Sequence, residues 1–237
     1  MNTLVITIDG PAGAGKSTIA RELAKRLGFD FLDTGAMYRC VTLAVLRQGV
    51  AFEDTERIAR IAESLQLEMQ HGRVTMNGED VSQAIRQPEV TQHVTRVADN
   101  MAVRSVLSSL QRRYARGRRI VTEGRDQGTE VFVDSPCKFF LTASREERAR
   151  RRWRELQQRG VATTYEEVLQ QQDARDARDA SRAVGGLRIA ADAMVVDTDG
   201  LTTDEVIDQM VQRVRLEFPQ LVSAADPRHA VDEGQEV

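Results

Sequence analysis

The stretch Gly10-Pro11-Ala12-Gly13-Ala14-Gly15-Lys16-Ser17 constrains this chain more than any other. It has the spacing G-x-x-x-x-G-K-[ST]. It lies between a β-branched run, Thr3–Ile8, and an apolar helical period at Ile19, Leu23 and Leu27. Glycines let such a turn close tightly, so that successive N–H groups point inward at an anion, and the following helix adds its positive end. Lys16 then reaches the β and γ phosphates and the Ser17 hydroxyl ligates Mg²⁺, with Thr18 completing the cradle. Lysine occurs in this chain only as Lys16, Lys25 and Lys138. From its composition, on the order of one or two such matches per thousand chains would arise by chance. The motif predicts a nucleoside triphosphate site that uses Mg²⁺.

The rest of the chain has to build a core around that loop. Its 237 residues suit one large domain or two small ones. Apolar and charged fractions of 41% and 29% are those of a globular protein in water. Apolar runs such as Leu4–Ile6 are too short for a membrane helix, and Met1–Val5 has no export-signal pattern. Two cysteines, Cys40 and Cys137, fit a reduced cytoplasmic compartment and read as small buried apolar residues. A net charge of −3 gives no global attraction to nucleic acid.

Periodicity predicts further strands at Phe29–Leu32, Arg119–Thr122, Lys138–Leu141 and Ala193–Val196. Helices are expected at about 36–47, 54–66, 144–159 and 203–216, with 88–117 mostly helical. Leu67–Met76, followed by Asn77-Gly78, reads as a small hairpin. The fold class expected is α/β, a parallel sheet with helices on both faces. Segments near 35–115 and 144–185 stand outside the alternation and read as insertions over the C-terminal edge of the sheet. Pro219–Val237 has no period and is expected to be a frayed tail.

The phosphate loop alone names no reaction. An N-K-x-D run for reading guanine does not occur. Six blocks in register narrow the choice. They are Gly10–Thr18; Asp33-Thr34-Gly35-Ala36-Met37-Tyr38-Arg39; Asn77–Val81; Ile85-Arg86 with Pro88-Glu89-Val90; Glu123-Gly124-Arg125-Asp126 with Gly128-Thr129; and Arg175–Asp179 with Arg182. Together, from about residue 3 to 217, they resemble the bacterial-type cytidylate kinase family.

That resemblance implies the P-loop kinase fold: a five-stranded parallel sheet with a nucleoside-monophosphate-binding insert and a lid. On this chain it implies one kinase domain over 1–217. Its core is about 1–34, 117–143 and 186–217, its insert about 35–116 and its lid about 144–185, ahead of a flexible tail over 218–237. The implied reaction is ATP + CMP or dCMP giving ADP + CDP or dCDP. The expected setting is a cytoplasmic monomer with no nucleic-acid or membrane partner. Thr34, Arg39 and Arg125 would hold the acceptor and its phosphate; Thr95, Arg104 and Asp126 would read cytosine. Arg175 and Asp179 would bind near the sugar, Arg182 would span the transferring phosphate, and Glu123 would assist the metal or the attacking oxygen. Arg148 and Arg151 are expected as lid contacts to ATP. Arginine suits these posts because its fork binds phosphate bidentately and stays charged.

Plainer readings compete for several of these residues. Arg175 and Asp179 could form an i, i+4 ion pair on a solvated helix face. Arg148–Arg154, with Trp153, could be a nucleic-acid patch, although Glu146, Glu147 and Glu155 interrupt it. His71, His93 and His229 have no metal-ligand spacing, and Tyr38 reads as packing beside the acceptor.

Overall fold

The computed structural model describes residues 3–222, apart from 71, 159 and 183. Five strands form one wholly parallel sheet: β1 (Leu4–Asp9), β2 (Asp30–Asp33), β6 (Arg119–Glu123), β7 (Cys137–Thr142) and β8 (Met194–Asp197). Their order is β2-β6-β1-β7-β8, which puts β1 at the centre. Side chains alternate between the faces of the sheet, as the pleat requires. Val5 and Ile120 enter one core with Leu32, Met37, Val41, Ile58 and Leu107. Ile6, Ile8 and Val121 enter the other, with Leu23, Phe139, Leu141, Ile207 and Met210. Both faces are therefore buried, and the strands read as continuous apolar runs.

Helices α1 (Lys16–Leu27) and α8 (Thr203–Glu217) cover the second face. The first face packs against α2 (Thr34–Arg47), α3 (Thr55–Ser64) and α5 (Met101–Ala115). Between α3 and α5 lie a small antiparallel sheet and α4 (Pro88–Ala98). The sheet comprises β3 (Leu67–Gln70), β4 (Arg73–Met76) and β5 (Glu79–Asp80). The expected hairpin is thus a three-stranded meander. Asn77 (φ 53°) and Gly78 (φ 83°) do not end a hairpin but turn β4 into β5.

The expected run of helix over 88–117 breaks at Asp99-Asn100. The Asn100 carboxamide oxygen caps α5 by accepting from Ala102 N and Val103 N, and its amide nitrogen donates to Thr55 O at 2.8 Å. An asparagine cap is what lets the chain restart a helix there. Helices α6 (Arg145–Gln158) and α7 (Tyr165–Ser181) pack together as a hairpin between β7 and β8.

The expected tail starts too early. Pro219–Val222 forms a short helix, α9, in which Leu221 is wholly buried in the second core. The Leu221 carbonyl also accepts a hydrogen bond from Arg119. Apolar side chains at Phe218 and Leu221 were too short a pattern to register as a helix. Residues 223–237 lie outside the described residues. No helix among the described residues is long and apolar enough to cross a membrane.

Candidate active site

Because the sheet is parallel, the C-terminal ends of β1, β2, β6 and β7 meet at one edge, where α/β sheets place their ligand crevice. Asp9, Asp33 and Glu123 end three of these strands, and the glycine loop leaves from the first. Gly10 (φ 150°) lies so close to β7 that a Cβ would overlap the Leu141 carbonyl oxygen. Gly15 (φ 84°) occupies the left-handed region at the start of α1. Gly13, Gly15, Ser17 and Thr18 face solvent, whereas Gly10, Pro11, Ala14 and Lys16 are buried and Ala12 is half-buried.

Lys16 donates from Nζ to Pro11 O at 2.7 Å. Burial first, and then the like charge of Arg125, pull its pKa from 10.5 to about 7, against the opposing pull of Glu123. Ser17 donates from Oγ to Glu123 Oε1 at 2.9 Å. Burial and the nearby Asp33 push the Glu123 carboxyl up from its ordinary value. The loop thus brings one hydroxyl and one buried carboxylate together beside the lysine. These are hard oxygen donors, the type that Mg²⁺ takes.

Several of the remaining residues singled out by sequence are tied to the end of β6 or to the segment that follows it. Thr34 opens α2 and donates to Glu123 O at 2.7 Å, which ties α2 to the end of β6. Arg39, one turn on, donates to Ile85 O at 3.1 Å and Thr91 Oγ1 at 2.8 Å. Arg125 donates from Nε to Asp179 Oδ2 at 2.9 Å and from Nη1 to Gly124 O at 3.1 Å. Arg104 pairs closely with Asp126, and its Nη1 donates to Ala98 O at 3.1 Å. Its guanidinium lies 5.9 Å from the centre of the half-buried Tyr38 ring. Thr95 is half-buried on α4, where its carbonyl accepts from Asp99 N.

The arginines on α6 and α7, and Arg182 just after α7, are engaged as well. Arg182 donates to Asp99 Oδ1 at 2.5 Å and pairs with Asp179 Oδ1 at 2.8 Å. Asp179 therefore serves Arg125 and Arg182, not Arg175 as an i, i+4 pair would have it. Arg175 has an exposed side chain, yet the protein crowded about it and the charge of Arg125 lower its pKa to about 10. Arg148 is buried over the phosphate loop and donates to Ala12 O at 3.0 Å, Ala143 O at 3.1 Å and Asp176 Oδ2 at 2.5 Å. Arg151 donates to Glu147, to Thr198 Oγ1 at 2.9 Å and to Thr198 O at 2.7 Å, which anchors α6 to the chain after β8.

Arg145, Arg148, Arg150, Arg151 and Arg152 each have an acidic partner on α6 or α7. The Trp153 indole N–H donates to Thr163 O at 3.2 Å. His93 stacks on Phe52 with ring centres 4.7 Å apart, while His71 and His229 lie outside the described residues.

Three site residues escaped sequence reasoning. Asp9, at the end of β1, accepts from Gln127 N and Gly128 N and has no motif of its own. Asp99 is the counter-ion of Arg182. Gly185 (φ 67°) lies so close to Arg104 that a Cβ would coincide with the guanidinium. The only sequence signal for it is the pair Gly185-Gly186, which the notion of a flexible turn would absorb.

Comparison with known proteins gives this edge a lineage. The model of the family described as cytidylate kinase matches residues 6–216. The chain belongs to the cytidylate kinase family. A cytidylate kinase of Rhodopirellula baltica is 54% identical over 212 residues, covering 90% of this chain and 93% of that one. Another, from Caldanaerobacter subterraneus subsp. tengcongensis, is 48% identical, covering 90% and 95%. A third, from Mycobacterium leprae, is 48% identical, covering 91% and 97%. The family match begins within β1, spans the other four strands of the main sheet and ends just before α9.

Proposed function

We propose that this member of the cytidylate kinase family transfers the γ-phosphate of ATP to CMP or dCMP, giving ADP and CDP or dCDP. One observation carries the reading beyond family membership. A glycine phosphate cradle and a cluster of arginines beside the Arg104–Asp126 pair converge on a single sheet edge. In the reaction an oxygen of the acceptor phosphate attacks the γ-phosphorus, the bond to the bridging oxygen breaks, and ADP leaves. The protein has little covalent chemistry to do, so its work is to position two anions and offset their charge.

In this reading Lys16 lies along the β and γ phosphates in a cradle of residues 10–18. Mg²⁺ would be held through Ser17, whose hydroxyl lies 2.9 Å from Glu123 Oε1, with that carboxylate placed to orient the metal's waters. The ion would supply further charge neutralisation on the triphosphate. Thr34, Arg39 and Arg125 take the acceptor and its phosphate, Arg175 and Asp179 lie by the sugar, and Arg182 bridges the transferring group. Residues 35–116 form the acceptor insert. Residues 144–185 form the lid, in which Arg148 couples the lid to the loop through Ala12.

Cytosine presents an amino donor and a ring-nitrogen acceptor. The Asp126 carboxylate can accept from the first and the Arg104 guanidinium can donate to the second, with Thr95 alongside. Uracil inverts both groups, which is worth about 10²- to 10⁴-fold in kcat/KM. A coupled ADP-release assay across the common nucleoside monophosphates tests the reading. CMP and dCMP should lead by that margin, and equal rates with UMP or AMP would sink it.

A further inference from the structure

We propose that Asp9 is a positioning residue for phosphoryl transfer: its carboxylate fixes the Arg125-Asp126 segment in register with the phosphate loop. The idea rests on the reading of Arg125 and Asp126 as acceptor-site residues and goes beyond it by naming what holds them.

Asp9 ends the central strand, and the next residue, Gly10, opens the cradle. Its Oδ1 accepts from Gln127 N at 2.9 Å and its Oδ2 from Gly128 N at 2.7 Å. These are the first two amides after Asp126. One residue earlier on β1, the Ile8 carbonyl accepts from Gly124 N at 3.0 Å. The last two residues of β1 therefore grip both flanks of Arg125-Asp126 by the main chain, from a point one bond away from the donor site.

The surroundings are built for that grip. A Cβ on Gly128 would stand 3.1 Å from Thr7 Oγ1 and from Lys138 Cδ, and 3.4 Å from Asp9 Oδ2. This accounts for the glycine in the block Glu123–Thr129, since any side chain would crowd the approach of its amide to the carboxylate. Gln127 is secured separately: its Oε1 accepts from Thr122 Oγ1 at 2.9 Å and its Nε2 donates to Gln111 at 3.2 Å. Asp9 itself is only 4% exposed. A buried carboxylate is costly unless its oxygens are bonded, and here both are used on one short segment. Both partners are donors, so the position needs two acceptors. Asparagine has the same shape but would turn an NH₂ toward one of the amides.

The test is Asp9→Asn, with ATP affinity measured separately from turnover. Loss of one bond to a charged group should lower kcat/KM for CMP on the order of 10- to 100-fold. The Kd for ATP should stay within about threefold, because the cradle's own amides are untouched. A structural role would instead lower the melting temperature and leave kcat/KM for CMP at the wild-type value in the folded fraction; that result overturns the proposal. Gly128→Ala keeps the carboxylate and displaces its partner. It should lower kcat/KM for CMP in the same direction without weakening ATP, and normal turnover there would also overturn the idea. Failure of the base-reading role would appear elsewhere, as an unchanged CMP to UMP ratio in Asp126→Asn, and leaves the kcat/KM test of Asp9 intact.

Discussion

Binding of ATP should draw a proton from solution, and Lys16 is the group that takes it up. Lys16 is 5% exposed, and its ammonium donates to the Pro11 carbonyl. Burial and Arg125 together hold its pKa at about 7. A triphosphate in the cradle brings several negative charges within contact distance, which restores the charged form. With a pKa lowered toward 7, the share of molecules holding a neutral Lys16 grows as pH rises from 6 to 8. Nucleotide binding should refill that deficit, so uptake should rise by roughly half a proton or more between pH 6 and pH 8. By linkage the sign is fixed: ATP affinity weakens as pH rises above 7, approaching about tenfold per pH unit. Titration calorimetry in buffers of small and large ionisation enthalpy reads the uptake directly. Lys16→Arg is the control, because a guanidinium stays charged while the nucleotide's own phosphate ionisation is unchanged. The difference between the two proteins is the quantity of interest. A difference that stays flat near zero from pH 6 to pH 8 refutes the account of Lys16.

Gly10→Ala should cost at least about 1–3 kcal/mol, because the new Cβ meets the Leu141 carbonyl of a neighbouring strand that cannot move aside; a thermal melt reads the loss. Ending the chain after Glu217 removes the wholly buried Leu221 and should cost about 2–5 kcal/mol relative to a chain ending after Val222. Equal melting temperatures for the two truncations would show that α9 contributes no stability. Asp99→Ala frees Arg182 from one of its two carboxylates. Since the Asp99 side chain is 49% exposed, the effect should be small: up to about fivefold tighter CMP binding and less than about 1 kcal/mol in stability.

What could be read from the residues alone was whatever is local along the chain. The strand, glycine turn and helix at 4–27 announce themselves because every atom of the cradle comes from one stretch. The alternation of strands and helices gave the sheet for the same reason. The roles of arginine and aspartate were another matter. Arg125 finds Asp179 across 54 residues and Arg182 finds Asp99 across 83, and no local spacing encodes such pairs. Arg148 and Arg151 stood out as cations on a helix, but sequence could not tell that one would clamp Ala12 and the other Thr198. Asp9 was invisible for a different reason. A lone aspartate before a glycine reads as the end of a strand, and its partners are backbone amides, which carry no residue identity.

Asp179 gives the arginine cluster a resident counter-anion. Its side chain is 5% exposed and spans two arginines, Arg125 at 2.9 Å and Arg182 at 2.8 Å. Burial opposes its ionisation, yet those two cations hold its carboxyl below the usual carboxylate range, so it is charged at neutral pH. With these pairs in place the crevice is not a bare cationic well into which any anion falls. A chloride or a single carboxylate offers the two arginines no more than they already have. A phosphomonoester dianion offers more charge and more acceptor oxygens, and it can draw the forks away from Asp179. In the proposed reading, acceptor binding at Arg125 and Arg182 is an exchange of partners, in which much of the cost of stripping water from the arginines was met when the chain folded. Discrimination against small ambient anions follows from that exchange alone, before any base is read.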